Sequence, residues 1–140
     1  MVPQVFIARM NDLEQVVKVD GDVTGNENRR DVIRRAIQSE QCLILIDGET
    51  LGGFLLYHTH FFDCAFISLI IVSPLTRRQG YARHLLEYFM KVSPTSKVFS
   101  STNQSNEPMR RVFASAGFIE SGVIENLDEG DPEIVYFKER

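Results

Sequence analysis

The spacing of apolar residues changes repeatedly along the chain and marks out alternating strands and helices. Val5–Ala8 reads as a short strand, and Asn11 and Asp12 then offer a cap for a helix carrying Leu13, Val16 and Val17. Asp20–Asn28 (DGDVTGNEN) is dense in turn formers and is expected to be a polar loop. A helix over Arg29–Gln38 follows, with Val32, Ile33, Ala36 and Ile37 as its apolar stripe. Cys42–Ile46 predicts a buried strand, Asp47-Gly48 a hairpin turn, and Leu51–Tyr57 the returning strand. Within that strand Gly52-Gly53 points to a bulge or a close backbone contact. Phe66–Val72 is apolar on both faces, which places it in the middle of a sheet.

From about Gly80, the residues Ala82, Leu85, Leu86, Phe89 and Met90 recur at the spacing of an amphipathic helix, which Pro94 ends. Lys97–Ser101 is a short strand. Asn106 then caps a helix with Pro108 in its first turn and Met109, Val112, Phe113 and Ala116 on one face, and Gly117 stops it. Phe118–Ile124 and Ile134–Phe137 form a closing strand pair around the acidic loop NLDEGDP. No repeat or linker interrupts the pattern. The expectation is one α/β domain over residues 1–140 with a mixed sheet.

Composition narrows the function classes. The 140 residues are 44% hydrophobic and 24% charged, a globular balance that excludes global disorder. Fifteen Lys and Arg against nineteen Asp and Glu give a net charge of −4, which argues against a nucleic-acid partner. The charge is segregated: arginines cluster at 29/30, 34/35, 77/78 and 110/111, and the stretch from Glu120 onward is acidic. The apolar run Ala65–Val72 is too short to span a membrane, and the N-terminus lacks a secretory pattern, so a soluble, cytoplasmic protein is expected. Cys42 and Cys64 lie in apolar runs and read as packed free thiols, and no ligand spacing suggests a metal.

Chemistry concentrates between Phe66 and Phe89: an apolar strand, a turn, Arg77-Arg78-Gln79-Gly80-Tyr81-Ala82, then a helix. A helix start presents unpaired N–H groups and a positive dipole end, Gly80 admits an anion without a Cβ in the way, and the arginines add fork-shaped donors. These features fit a phosphate; they also fit a solvated basic turn before a core helix. Neither GxGxxG nor a P-loop is present.

The strand–VSP–RRQGYA–helix segment resembles the Q/R-x-x-G-x-G/A motif of the GNAT acetyltransferase family. Asn106, Met109, Phe113, Gly117 and Phe118 follow a second motif of that family, and the order of elements agrees over nearly the whole chain. The resemblance implies a mixed, mostly antiparallel sheet with splayed central strands, flanked by about four helices. It implies acetyl-CoA as co-substrate, with the backbone of Ile70, Ile71 and Val72 pairing with its pantetheine arm. Arg77, Arg78, Gln79, Gly80, Tyr81 and Ala82 would cradle its pyrophosphate, with Asn106 and Phe113 also at the cofactor. The activity implied is transfer of the acetyl group to a primary amine by direct attack on the thioester. The alternative is a CoA-binding regulatory module of the same fold with little or no catalysis, and a homodimer is open.

Two family positions are filled differently. Ser68 stands where many members place a Glu in the central strand, and Phe113 stands where the family has a Tyr credited as the acid. Ser68 and Asn103, the latter facing the thioester gap, are the catalytic candidates, while Tyr81, Ser105 or water are substitutes for the acid. His58 and His60 share one strand face by alternation and are either bases or surface residues. Asp128, Glu129, Asp131 and Glu133 border the implied acceptor site, where they would attract a cationic amine; a solvated turn is the plainer reading. The arginine pairs at 29/30 and 34/35 read as an exposed helix face, or as contacts to an acidic acceptor or to phosphates.

Overall fold

Each predicted apolar run becomes a strand or a helix in the computed structural model, which describes residues 2–77 and 79–140. The elements are β1 (Gln4–Ile7), α1 (Leu13–Thr24), α2 (Arg30–Gln38), β2 (Cys42–Asp47), β3 (Thr50–Phe61), β4 (Cys64–Val72), α3 (Tyr81–Val92), β5 (Lys97–Asn103), α4 (Glu107–Ser115), β6 (Ile119–Ile124) and β7 (Glu133–Glu139). The strands form one sheet in the order β1-β2-β3-β4-β5-β7-β6, so β4 lies at its centre as expected. Every neighbouring pair is antiparallel except β4 and β5, which run parallel with α3 between them in sequence.

Two cores sandwich the sheet. On one face Leu85, Leu86 and Phe89 of α3 and Phe113 of α4 pack against Leu55, Ile67, Val98 and Tyr136. On the other, Val16 and Val17 of α1 and Ile33 and Ile37 of α2 cover Ile44, Phe54 and Leu56. Leu85, Leu86, Phe89, Ile33, Phe54 and Leu55 are completely buried. Burial of that extent contributes roughly 1.5–3 kcal/mol for each large side chain.

The expected loop at Asp20–Asn28 is helical through Thr24. Val16, Val19, Asp20 and Val23 continue the inward spacing, and Asp20 tolerates burial because the Arg29 guanidinium donates to both of its oxygens. The Thr24 hydroxyl donates back to the Asp20 carbonyl, and Gly25, at φ 80°, ends the helix in the left-handed conformation. The other arginines of this region are likewise used internally. Arg30 pairs with Glu14 and Glu27, Arg34 pairs with Asp31, and Arg35 donates to the Asp31 carbonyl.

Both glycines of β3 act through shape. Leu45 pairs with Gly53 and Ile46 with Leu51, so Gly52 is the extra residue of a bulge. A Cβ on Gly53 would stand 2.8 Å from the Ile71 carbonyl oxygen. Gly53→Ala should therefore destabilise the fold by about 1–3 kcal/mol through overpacking. Gly122→Ala, where nothing lies within 4 Å, should be close to neutral. Equal denaturation midpoints for the two variants would overturn this account.

Both thiols are free. Burial, with a smaller contribution from Asp12, pushes the Cys42 thiol up to about 12, so it stays protonated at neutral pH. A thiol-specific reagent should modify half-buried Cys64 in the native state and Cys42 only on unfolding. Rapid native modification of Cys42, read by peptide mass mapping, would contradict its burial.

Candidate cofactor and acceptor site

A bulge opens the centre of the sheet. Tyr57 pairs with Ile67 and Leu56 with Leu69, leaving Ser68 without an opposite residue. The insertion reverses the phase of the strand. Ala65 and Ile67 face the α3–α4 core before it, and Ile70 and Val72 after it, while Leu69 and Ile71 turn to the other side. Bulges bend a strand and increase its twist. Accordingly β4 and β5 pair only at Ala65–Val98, Phe66–Phe99 and Ile67–Ser100. Beyond Ser68 the strands part. Ile70, Ile71 and Val72 stay paired to Leu55, Phe54 and Gly53, but their edge toward β5 has no strand partner among the described residues. An extended ligand can add to such an edge as a strand.

The turn after β4 is fastened to the sheet. The Gly52 carbonyl accepts from the Ser73 amide at 2.8 Å and from the Thr76 hydroxyl at 3.3 Å. The Ser73 hydroxyl accepts from the Leu75 amide. The chain then reaches Gly80, the residue before α3, at φ 74°. Among the described residues no side chain caps this helix, and a Cβ at Gly80 would meet no described atom within 4 Å. The first N–H groups of α3 have no side-chain acceptor among the described residues, and a helix start of that kind suits a phosphate group. Arg77 and Gln79 are exposed beside them, while Arg78 lies outside the described residues. Ala82 is half-buried, and Tyr81 is an anchor. Its ring lies against Gly52, and its hydroxyl donates to Asp47, which pushes its pKa upward.

Asn106 caps α4, which α3 lacks. Its side-chain oxygen accepts from the Met109 amide at 3.2 Å and its nitrogen donates to the Thr102 hydroxyl at 3.1 Å. Both ends of the side chain are therefore engaged in the turn, and the residue remains exposed at the start of α4. Phe113, expected at the cofactor, is a core residue. It is 1% exposed and its ring stacks on Tyr136 with centroids 4.6 Å apart. Phe113 continues the apolar stripe of α4.

The acidic loop is folded onto the end of β5, not free in solvent. Asn103 donates to Asp128 at 2.8 Å, the Ser105 amide and hydroxyl both donate to Asp131, and the Ser101 hydroxyl donates to Glu133 at 2.7 Å. Glu129 is exposed. Nothing in the sequence pairs these residues, because the contacts cross from one strand end to a loop far along the chain. Ser105 and Tyr81, considered as acids, both hold carboxylates.

His58 and His60 stack at 5.6 Å on one face of β3, as their alternation requires. Burial and the neighbouring His60 lower the His58 pKa, so its ring is neutral near pH 7. Its Nδ1 accepts from the His60 amide, which leaves the ring proton on Nε2 as a donor. Ser68 and His58 share a hollow of about 260 Å³ with Arg35 and Tyr57, and the Ser68 hydroxyl donates to the Leu56 carbonyl at 3.4 Å.

Residues 10–118 match the acetyltransferase (GNAT) family. The chain belongs to the GNAT acetyltransferase family. A GNAT acetyltransferase from Bacillus cereus ATCC 10987 is 51% identical, with a TM-score of 0.97 over 100% of this chain and 99% of that one. The ribosomal-protein-S18-alanine N-acetyltransferase of Escherichia coli superposes with a TM-score of 0.85 at 18% identity, covering 99% of this chain and 94% of that one. A Salmonella typhimurium protein solved with its cofactor acetyl-CoA gives 0.80 at 12% identity, again over 99% and 94%. The last two show the shared GNAT fold. No curated protein matches the chain. Among the described residues no helix is long and apolar enough to cross a membrane.

The side chains of Asn103 and Asp128 engage each other, so their effects should be coupled. Asn103→Ala and Asp128→Ala should each lower stability by a few tenths of a kcal/mol to about 1 kcal/mol, and the double variant should lose less than the sum. Urea denaturation of the cycle checks this, and strictly additive losses would show that the two side chains act independently.

Proposed function

We propose that the protein is an N-acetyltransferase that moves the acetyl group of acetyl-CoA to a primary amine. The observation that carries the reading is the parting of β4 from β5 beside an uncapped helix start. The free edge of Ile70–Val72 would receive the pantetheine arm, and the Arg77–Ala82 turn would receive the pyrophosphate. Acetyl-CoA supplies a thioester whose carbonyl carbon bonds to the amine nitrogen as the C–S bond breaks; of the two protons that the ammonium nitrogen gives up, one goes to solvent and one ends on the departing sulfur, leaving an amide and the CoA thiol.

Of three requirements of that chemistry, two fall to the chain's own residues and the third to the leaving group. Backbone N–H groups on the β4 edge are donors fixed by the sheet, suited to negative charge developing on an oxygen. An alkyl ammonium with a pKa of about 10.4 needs on the order of 4–5 kcal/mol to lose its proton at neutral pH. Glu133 and the acidic loop attract the cation, and Asn103 and Ser68 border the gap as polar positions for a water that accepts the proton. A thiol with a pKa of roughly 8.5 leaves readily near neutrality, so Phe113 in place of a Tyr acid is tolerable. The pair of unbridged cysteines accords with a reducing, cytoplasmic setting.

A second reading, a CoA-binding module without catalysis, draws on the absence of a Glu at Ser68 and of a Tyr at Phe113. Incubation with acetyl-CoA and a panel of amines, read by mass spectrometry, separates the two: an acetylated amine is expected, and tight CoA binding with no product would favour the module. Gly80→Val should weaken acetyl-CoA binding at least tenfold in calorimetry. Gly25→Val, at an equally left-handed position closing α1, should leave it unchanged. Equal affinities in both variants would remove the phosphate from the α3 start.

A further inference from the structure

The α1–α2 layer covers only part of its face of the sheet. Farther along that face, Phe66, Phe61, Phe99 and Phe137 form a continuous cross-strand ladder, with successive ring centroids 4.9, 5.1 and 5.1 Å apart. Two rings of the ladder, Phe61 and Phe99, line an open groove of about 680 Å³. Phe61 and Phe62 of the β3–β4 turn form one wall, and Val123 and Ile124 of β6 form the other, with Phe99 and Val135 beneath. That volume lies in the range of small-molecule sites.

The groove has direction. Two residues farther along β5 and β7, on the same face as Phe99 and Val135, stand Ser101 and Glu133. They lie about 7 Å away at strand spacing, where β4 and β5 have begun to part. Glu133 bonds Ser101 through one oxygen, and among the described residues its other oxygen has no side-chain partner. Along this face of β5 the order is therefore Lys97, then the aromatic Phe99, then Ser101 with Glu133: Lys97 lines the groove at the end away from the gap, and the carboxylate stands just beyond the groove on the side that meets the gap.

The turn beside it carries a sign of selection for a side chain. Phe62 and Asp63 have φ of 52° and 61°, a left-handed pair that suits Asn or Gly and disfavours Phe. Phe62 is nonetheless there, 86% exposed and edge-on to Phe61. Its backbone would be relaxed by a smaller residue; its ring extends the wall of the groove.

We propose that this groove binds the acceptor, and that the acceptor is a primary amine with an aromatic body whose ring lies on Phe61 and Phe99 while its cationic nitrogen points past Glu133 into the gap. The inference rests on the acetyltransferase reading and adds the substrate class to it. The amine end is attracted by the carboxylate, and the ring gains offset or edge contacts from the ladder.

Phenethylamine and ethylamine serve as probes, since they share an alkyl ammonium and differ in the ring. Acetyl transfer should favour phenethylamine at least tenfold in kcat/KM. Phe62→Gly should raise the melting temperature, reduce that preference severalfold and leave acetyl-CoA affinity unchanged; Phe99→Leu should reduce it further. A merely structural role for Phe62 would not lower the preference while raising stability. The same pair is also compared for binding to the CoA-loaded protein by calorimetry and by shifts of the phenylalanine ring resonances. Should neither amine be acetylated while phenethylamine still binds and shifts the Phe99 ring, catalysis fails and the aromatic site stands. Equal turnover and equal binding of the two amines would overturn the inference. So would a concentration-dependent dimer, found by sedimentation and abolished by Val123→Glu, in which neither amine shifts the ladder.

Discussion

Parallel strands depend on evenly spaced hydrogen bonds, and the bulge at Ser68 takes β4 out of that register after Ile67. The site follows from this local irregularity. Had the ladder continued, the amides of Ile70–Val72 that face away from β3 would be satisfied by β5, and the centre of the sheet would be closed. The bulge also exchanges the faces of the strand, so Ile70 and Val72 stay in the α3–α4 core while the strand bends away. Packing and opening are therefore compatible: one extra residue moves the backbone without emptying either core.

Charge in this molecule is spent mostly on its own surface. Four of the arginines that seemed available in the sequence hold neighbouring carboxylates or a carbonyl along α1 and α2. Three carboxylates of the acidic loop are held by Asn103, Ser105 and Ser101. Exposed pairs of this kind are worth little individually in stability, but several together fix a loop of small polar residues in one place. The net charge of −4 is thus a poor guide to which groups face a ligand.

The fold was largely legible because its apolar spacing is regular: Leu85, Leu86, Phe89 and Met90 repeat as a helix, and Cys42–Ile46 is a strand between turn signals. The Gly80 helix start was legible for a local reason, since a left-handed glycine before an amphipathic helix is written within a few residues. Other features were hidden. Asp20–Thr24 has the composition of a loop, and only the distant Arg29 shows why Asp20 can sit inside. The Ser68 bulge is a relation between two strands and leaves no mark beyond one polar residue in an apolar run. Asn106 and Phe113 matched a motif, and the structure places their side chains in a cap and in the core, relations that the motif does not show. The aromatic ladder is dispersed over Phe61, Phe66, Phe99 and Phe137, and only the strand order brings the rings together.

The Gly52 carbonyl, which holds both Ser73 and Thr76, has a thermodynamic consequence for ligand capture. It ties Ser73–Thr76, the start of the turn after β4, to a bulge inside the sheet, so those residues are ordered when the hairpin forms. The entropy of arranging the chain there is lost during folding, before any ligand arrives. Association is then relieved of that ordering penalty and owes its strength to contacts alone, which is the advantage of a preorganised site.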